Sequence, residues 1–211
     1  MTPLVRDDDM ADRLREQAAR PVLTMPEAEA GAVRSAYRAA RVILEYGSGG
    51  STVLAAEMPG KHVTSVESDR RWARMMKQWF RQNPPAKDTT VEVIWSNIGP
   101  TRDWGQPKDQ GAWHRFARYP LGVWRREDLP HPDVVLVDGR FRIGCALATA
   151  FNIRRPVTLL FDDYAGRKWF HQVEDFLGAP LMVGRMGVFE VEPQPVPPHR
   201  LLDVIRFMQR P

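Results

Sequence analysis

Short apolar runs alternate with segments of helical periodicity along this chain, and this alternation constrains the fold more than any other feature. The runs that predict buried strands are residues 42–44, 63–66, 91–95, 134–137 and 157–161. Between them, apolar residues recur at three- and four-residue spacing, as in the segment 143–151. Parallel strands need long crossover connections, which are usually helices. The pattern therefore predicts an α/β fold built on a doubly wound sheet.

The ends of several elements carry signals of their own. Thr24 and Glu27 have the spacing of a capping box, so a helix is predicted to lead into the first strand. Ser68 is predicted to cap the helix that follows the second strand. A hairpin is predicted over 181–191, and a terminal helix or strand over 201–208.

Length and composition suit one folded domain, 1–211, in which residues 1–40 form a helical lead-in. The 30 basic and 26 acidic residues leave a net charge of +4, which does not imply a nucleic-acid partner. The single cysteine, Cys145, excludes an internal disulfide and a zinc site of several thiolates. The acidic run 7–9 is unlike a secretory signal, and the longest uncharged apolar stretch, 143–153, is too short for a membrane span. We expect a cytoplasmic protein without a membrane partner.

Residues 97–131 form a long irregular insert between the third and fourth of these strands. The insert contains Trp104, Trp113, Tyr119 and Trp124, together with several glycines and prolines. Such a segment inside a compact domain is either functional or poorly ordered. Its aromatic side chains could form a lid or an acceptor pocket, or they could pack over the edge of the sheet.

Polar residues stand where each of the five strands ends. They are the segment 45–50 after the first strand, Glu67 at the second, Asn97 after the third, Asp138 at the fourth, and Asp162 with Asp163 at the fifth. In a doubly wound sheet, ligands bind outside the carboxyl ends of the strands. These residues are therefore the candidate site.

The segment after the first strand is a glycine loop. Gly47 and Gly49 would let a ligand approach the backbone and the N-terminus of the next helix. Glu67 follows Gly47 by twenty residues, a spacing at which a carboxylate on the second strand can accept both hydroxyls of a ribose. Together, the loop and the carboxylate predict a site for a nucleoside cofactor.

The loop sequence Glu45-Tyr46-Gly47-Ser48-Gly49 is similar to motif I of the class I S-adenosylmethionine-dependent methyltransferases, [DE]-x-G-x-G-x-G. The resemblance covers residues 41–192 and implies a mostly parallel seven-stranded sheet with helices on both faces. It also implies S-adenosylmethionine as the cofactor. The residues it would place around that cofactor are Glu45, Tyr46, Gly47, Ser48, Gly49, Glu67, Ser68, Asn97 and Asp138.

The resemblance assigns parts of the cofactor to parts of this set. The glycine loop would contact the methionine part, Glu67 the ribose, and Asn97 with Ile98 the adenine, while Asp138 would face the reaction centre. The sequence departs from the motif at Gly50-Ser51, where a third glycine is usual. It departs again at Asn97, where an acidic residue is frequent.

Two other functions compete with methyl transfer. A dinucleotide fingerprint would need glycine where Thr52 stands, which counts against an NAD-dependent oxidoreductase. A methyltransferase-like module that binds the cofactor or its product without catalysis is the second alternative. Methylation of DNA bases is disfavoured, because the only similar motif, Asn83-Pro84-Pro85-Ala86, lies in a loop from helix to strand and lacks an aromatic fourth residue.

Methyl transfer to a hydroxyl requires an acceptor held in line with the methyl group and a base that removes the proton. Asp138 is the first candidate for the base, Asp162 or Asp163 the second, and His171 or His114 the third. Transfer to the oxygen of a small acceptor is favoured over transfer to nitrogen.

The three aspartates have two further interpretations. Some small-molecule O-methyltransferases of this class hold a divalent cation with carboxylates at the ends of the fourth and fifth strands, and hard cations prefer such ligands. Pairing with Arg140, Arg142 or Arg167 is the alternative, and no metal site is assigned.

Basic residues are concentrated between positions 140 and 168. They are Arg140, Arg142, Arg154, Arg155, Arg167 and Lys168. They could be a solvated surface, or an electropositive rim that would favour an anionic acceptor.

Overall fold

The computed structural model describes residues 20–211, and its centre is a seven-stranded sheet. The strands are β1 Val42–Tyr46, β2 His62–Glu67, β3 Thr90–Trp95, β6 Val134–Val137, β7 Val157–Phe161, β8 Leu181–Val183 and β9 Met186–Val191. Their order in the sheet is β3-β2-β1-β6-β7-β9-β8. β1, β2, β3, β6 and β7 pair in parallel, whereas β9 is antiparallel to both of its neighbours. The predicted α/β class and its mostly parallel sheet are confirmed.

Helices cover both faces of this sheet. They are α1 Glu27–Ala39, α2 Gly50–Ala56, α3 Arg70–Gln82, α4 Arg118–Leu121, α5 Arg142–Asn152, α6 Glu174–Leu177 and α7 Leu201–Gln209. Successive strand residues point to opposite faces, so Ile43 packs in the cluster with α1 and Leu44 in the cluster with α5 and α7. None of the helices within 20–211 is long and apolar enough to span a membrane.

Two predicted helix caps are wrong. α1 begins at Glu27 with Pro26 at its N-cap position, where the side chain has no hydrogen-bond acceptor, so Thr24 lies outside the helix and does not cap it. α3 is capped by Asp69, whose carboxylate accepts from Trp72 N at 2.8 Å, while the Ser68 hydroxyl donates elsewhere. The part of the predicted lead-in before residue 20 lies outside the described residues.

The insert 97–131 folds into short elements. It contains the strand pair β4 Thr101–Arg102 and β5 Gln106–Pro107, the helix α4 and three single helical turns, Asp103–Gly105, Trp113–Arg115 and Val123–Arg125. Its aromatic residues divide between two environments. Tyr119 is fully buried and Trp124 packs against the same core, whereas Trp104 and Trp113 are exposed.

Candidate functional site

The loops after β1 and β6 touch at the carboxyl edge of the sheet. Gly47 has a φ of +104°, and a Cβ there would lie 2.8 Å from the nitrogen of Gly139. Only glycine combines that conformation with so close an approach. The next helix also needs a glycine at its start, because a Cβ on Gly50 would clash with the backbone nitrogen of Leu23.

Glu45 supports the glycine loop from inside the molecule. Its buried carboxylate accepts from the Tyr37 hydroxyl and the Thr52 hydroxyl, each at 2.6 Å, and the Thr52 oxygen accepts from Gly49 N at 3.0 Å. Burial raises the pKa of Glu45, and the hydrogen bonds from Thr52 and Tyr37 oppose that effect. Both carboxylate oxygens therefore have protein partners, and Glu45 reaches the site only through the loop that it holds.

Tyr46 points to the opposite face and is equally buried. Its hydroxyl donates to the Pro120 carbonyl and accepts from Trp124 Nε1, both at 2.7 Å. Tyr46 thus joins the end of β1 to the insert. Its side chain, like that of Glu45, does not line the surface where a cofactor was predicted.

Glu67 connects the glycine loop to the end of β2. One carboxylate oxygen accepts from Ser48 N at 3.2 Å and the other from Asp69 N at 2.8 Å, while the Ser48 hydroxyl contacts the Ser65 hydroxyl at 2.7 Å. Burial raises the pKa of Glu67, and the backbone donors Asp69 and Ser48 counteract this. The loop and the carboxylate that the sequence analysis paired are therefore in direct contact.

The insert packs onto this same place. The Ser68 hydroxyl donates to the Gly105 carbonyl at 2.9 Å, and a Cβ on Gly105 would lie 3.3 Å from a carboxylate oxygen of Glu67. Trp104, which precedes Gly105, has a φ of +61° and is 88% exposed. The first turn of the insert therefore borders the carboxylate predicted to bind ribose.

Asn97 and Ile98 lie beyond the end of β3. The Asn97 side-chain oxygen accepts from Gly99 N at 3.1 Å and so closes a local turn. Ile98 is fully buried in the core. Their proposed contact with adenine stays a prediction.

Asp138 directly follows β6 and forms an ion pair with Arg142. Their side chains are 3.0 Å apart, and Arg142 also donates to the carbonyls of Asp138, Gly139 and Asp162. The Asp138 side chain is still 35% exposed. Burial raises the pKa of Asp138, Arg142 opposes that effect, and repulsion from Asp162 and Asp163 adds to it.

Asp162 and Asp163 are neutralised by arginine. Asp162, with a side chain 2% exposed, accepts from two nitrogens of Arg185 at 2.8 and 3.1 Å. Asp163 lies 2.8 Å from Arg167, 3.2 Å from Arg185 and 3.4 Å from Arg142. The interpretation as ion pairs is correct for Arg142 and Arg167, but Arg140 takes no part, and Arg185 was missed. Arg185 lies in the turn between β8 and β9, where no local pattern marks it.

These pairs leave little room for a divalent cation. Within residues 20–211, no group of three or more histidine, cysteine, aspartate or glutamate side chains is placed to hold a metal ion. The carboxylates of Asp162 and Asp163 face guanidinium groups, which already supply the positive charge that a cation would bring. The residues at the ends of β6 and β7 do not fit a metal site.

The two candidate histidines take no part in these ion pairs. His171 stacks on Tyr164 with ring centroids 4.8 Å apart, and its Nε2 lies 3.2 Å from the Tyr164 carbonyl oxygen. His114 lies exposed on a turn of the insert, beside Arg115. Asp138 thus remains the candidate base with the most accessible side chain among the three aspartates.

The six basic residues that could form an electropositive rim lie in two places. α5 carries the chain back across the sheet, so Arg154 and Arg155 lie beside His131 and Asp133, before the start of β6. They are at the opposite end from the candidate site. Arg140, Arg142, Arg167 and Lys168 stay on the side of the strand ends.

Comparisons with known proteins bear on this arrangement. No family model matches the sequence, and no curated protein matches it. Among solved structures, a methyltransferase-like protein from Silicibacter pomeroyi DSS-3 is 68% identical and superimposes with a TM-score of 0.89. The match covers 91% of this chain and 99% of that protein. This chain belongs to the class I S-adenosylmethionine-dependent methyltransferases.

More distant structures share the fold of this chain. A cofactor-bound protein from MTB is 18% identical with a TM-score of 0.57, over 92% of this chain and 94% of that one. The O-methyltransferase TomG from Streptomyces achromogenes, in complex with SAM, is 16% identical with a TM-score of 0.50, over 85% of this chain and 84% of that one. At these identities the likeness concerns the fold alone.

Backbone hydrogen bonds join the glycine loop to the strands on both sides of β1. Gly47 N donates to the Val66 carbonyl on one side of the glycine loop, and Asp138 N donates to the Tyr46 carbonyl on the other. The loop therefore lies between Glu67 and Asp138. A ligand along this edge would meet a carboxylate at each end and backbone between them.

Proposed function

We propose that this methyltransferase is an active enzyme that uses S-adenosylmethionine to methylate an oxygen of a small acceptor. The observation that carries the proposal is the direct hydrogen bond from Ser48 N to Glu67, which joins the glycine loop to the carboxylate suited to ribose. The SAM complex of TomG, which has the same fold, supports the choice of cofactor.

Different residues along the carboxyl edge of the sheet would bind different parts of the cofactor. The loop Gly47 to Gly49 would hold the methionine part of the cofactor, Glu67 the ribose hydroxyls, and the region of Asn97 the adenine. When bound, the cofactor supplies a methyl group on a sulfonium. The protein must then hold the acceptor oxygen in line with that methyl group.

Asp138 is the proposed base. Its side chain is 35% exposed at the end of β6, whereas that of Asp162 is 2% exposed and bound to Arg185. A carboxylate with a raised pKa is a better acceptor for the proton of a hydroxyl near neutral pH. Asp162 and Asp163 would act on the site through the arginines that they hold.

The insert 97–131 is the proposed source of acceptor contacts. It packs beside Glu67 through Gly105 and beneath the end of β1 through Trp124, so it spans the edge along which the cofactor would lie. We take the chain to be one domain in which this insert determines the acceptor.

Calorimetric titration of the full chain with S-adenosylmethionine, S-adenosylhomocysteine and NAD tests cofactor choice. Saturable binding of the first two and no binding of NAD is expected. Turnover is then measured as release of S-adenosylhomocysteine with a panel of phenols, hydroxy acids and amines. Binding without turnover of any hydroxylated acceptor would favour the silent module, and binding of NAD alone would contradict the proposal.

A further inference from the structure

Arg140 lies two residues after Asp138 and carries an unused hydrogen-bond donor. Its Nε is the one buried side-chain nitrogen or oxygen in residues 20–211 that lacks a hydrogen-bond partner. A buried donor on a charged group is costly when it has no acceptor. An arrangement of this kind is expected where a ligand supplies the acceptor.

The other arginines at this edge are all paired. Arg142, Arg167 and Arg185 each lie within 3.4 Å of an aspartate, whereas none of the ion pairs found in the described chain includes Arg140. Burial lowers the pKa of Arg140, and the positive charges of Arg142 and Arg167 lower it further. Tyr119 and Asp138 oppose this shift. Arg140 is thus a cation that lies near other positive charges and forms no ion pair with another described residue, so a bound anion would stabilise it.

The backbone on both sides of Arg140 is tightly constrained. A Cβ on Gly139 would clash with the Tyr119 hydroxyl, so no other residue fits there without a shift. Phe141 is fully buried with a φ of +53°, a left-handed conformation that is unfavourable for an aromatic residue. These contacts fix the direction in which the chain leaves β6 and, with it, the position of Arg140.

We propose that Arg140 binds an oxyanion, a carboxylate or phosphate group, at the carboxyl edge of the sheet. The inference rests on the proposed function in one respect, because it assigns that anion to the methyl acceptor, which would then be an acid. A planar guanidinium holds such groups through two parallel hydrogen bonds. The carboxylate of the cofactor has the same chemistry and is the second source to be distinguished.

The test compares Arg140→Gln and Arg140→Lys with the wild type and with Arg154→Gln. Arg154 is exposed at the opposite end of the sheet, so its variant loses the same charge away from the site. The probes are acetate and inorganic phosphate at constant ionic strength, S-adenosylhomocysteine, which carries a carboxylate, and 5′-methylthioadenosine, which lacks it. Binding is followed by calorimetry and by the shift in unfolding temperature.

Arg140→Gln is expected to weaken binding of acetate or phosphate by about tenfold or more, with Arg154→Gln unchanged. If the anion that Arg140 binds belongs to the methyl acceptor, Arg140→Gln should leave the affinity for both nucleosides unchanged. If Arg140 binds the carboxylate of the cofactor instead, Arg140→Gln should bind S-adenosylhomocysteine more weakly and 5′-methylthioadenosine with unchanged affinity. Arg140→Lys keeps the charge but not the planar fork, and partial affinity is expected.

Equal binding of every probe by wild type and Arg140→Gln would overturn the inference. Folding of the variant is checked by its unfolding temperature, which should not fall, because the free protein gains nothing from an unpaired buried charge. If neither nucleoside binds the wild type, the proposed function fails, while the two anions still test Arg140.

Discussion

Among single residues, the two buried glutamates at strand ends have opposite relations to the site. Beneath the loop, both carboxylate oxygens of Glu45 accept hydrogen bonds, one from the Tyr37 hydroxyl and one from the Thr52 hydroxyl. Glu67 accepts mainly from backbone nitrogens of the loop and of Asp69, so its carboxylate lies at the boundary between loop and strand. Glu45 therefore supports the loop from beneath, whereas Glu67 lies at the boundary where the ribose is proposed to bind.

Glu67→Ala should weaken binding of S-adenosylhomocysteine by about tenfold to a hundredfold, because charge-assisted hydrogen bonds to the ribose would be lost. The dissociation constant is measured by calorimetry at a temperature where the variant is folded. Glu67→Gln, which keeps the side-chain shape and one acceptor oxygen, is the matched variant and should lose less. An unchanged dissociation constant in Glu67→Ala would show that the ribose binds elsewhere.

Asp138→Asn should reduce turnover by about a hundredfold or more while changing the affinity for S-adenosylhomocysteine little, because a base acts on the acceptor proton and not on the bound cofactor. The comparison is made with the best acceptor from the turnover panel. Asp163→Asn, at an aspartate that faces three arginines, is the control for loss of negative charge. If affinity and turnover of Asp138→Asn fell together, Asp138 would be a binding residue and not a base.

At the scale of elements, the hairpin β8–β9 contributes to a site formed otherwise by parallel strands. Its turn delivers Arg185 to the carboxylates that follow β7. Arg142, at the start of α5, joins the ends of β6 and β7 through three carbonyls. Charge at the strand ends is thus balanced by two elements that lie after the glycine loop in the chain.

Arg185→Met should lower the free energy of unfolding by about 2 kcal/mol, because the nearly inaccessible carboxylate of Asp162 loses its partner, while the exposure of Arg185 limits the loss. Urea denaturation measures the effect. Arg167→Met, which breaks a half-exposed pair with Asp163, should cost under about 1 kcal/mol. Mg²⁺ should leave the stability of the wild type unchanged, because guanidinium groups already face these carboxylates, and stabilisation of the wild type by Mg²⁺ would indicate a metal site.

For the molecule as a whole, three carboxylates with raised pKa values gather at one edge of the sheet: Glu45, Glu67 and Asp138. In each case burial is the largest cause. A raised pKa means that the folded protein keeps the proton to higher pH than the unfolded chain does. The stability associated with it is complete below the unfolded pKa and is lost as pH rises through the folded pKa.

Glu45→Gln should therefore remove part of the pH dependence of the free energy of unfolding. The free energy of unfolding of the wild type, measured relative to the variant, should fall as pH rises from the ordinary glutamate value of 4.5. Urea denaturation at a series of pH values gives this difference. A difference that stays constant or rises over that range would mean that Glu45 is no harder to ionise in the folded protein than in the unfolded chain.

Much of the site could be predicted from sequence because its signals are local. The glycine loop, the strand before it and the spacing to Glu67 all lie within a short stretch, and backbone contacts between parallel neighbours bring them together. Two element boundaries differ from the prediction: Pro26 and Asp69 occupy the N-cap positions predicted for Thr24 and Ser68. A cap depends on one side chain reaching one backbone nitrogen, which spacing alone does not establish.

By itself, the sequence determined the α/β class, the succession of the five parallel strands along the chain, and a polar residue at the end of each of them, since apolar periodicity and glycine act over a few residues. Only the tertiary structure decided which charges meet. Arg185 reaches Asp162 because β9 lies beside β7, and Arg154 is carried away because α5 runs back across the sheet. Ion pairs between distant segments depend on positions in space, and so does the absence of a partner that distinguishes Arg140 within the described chain.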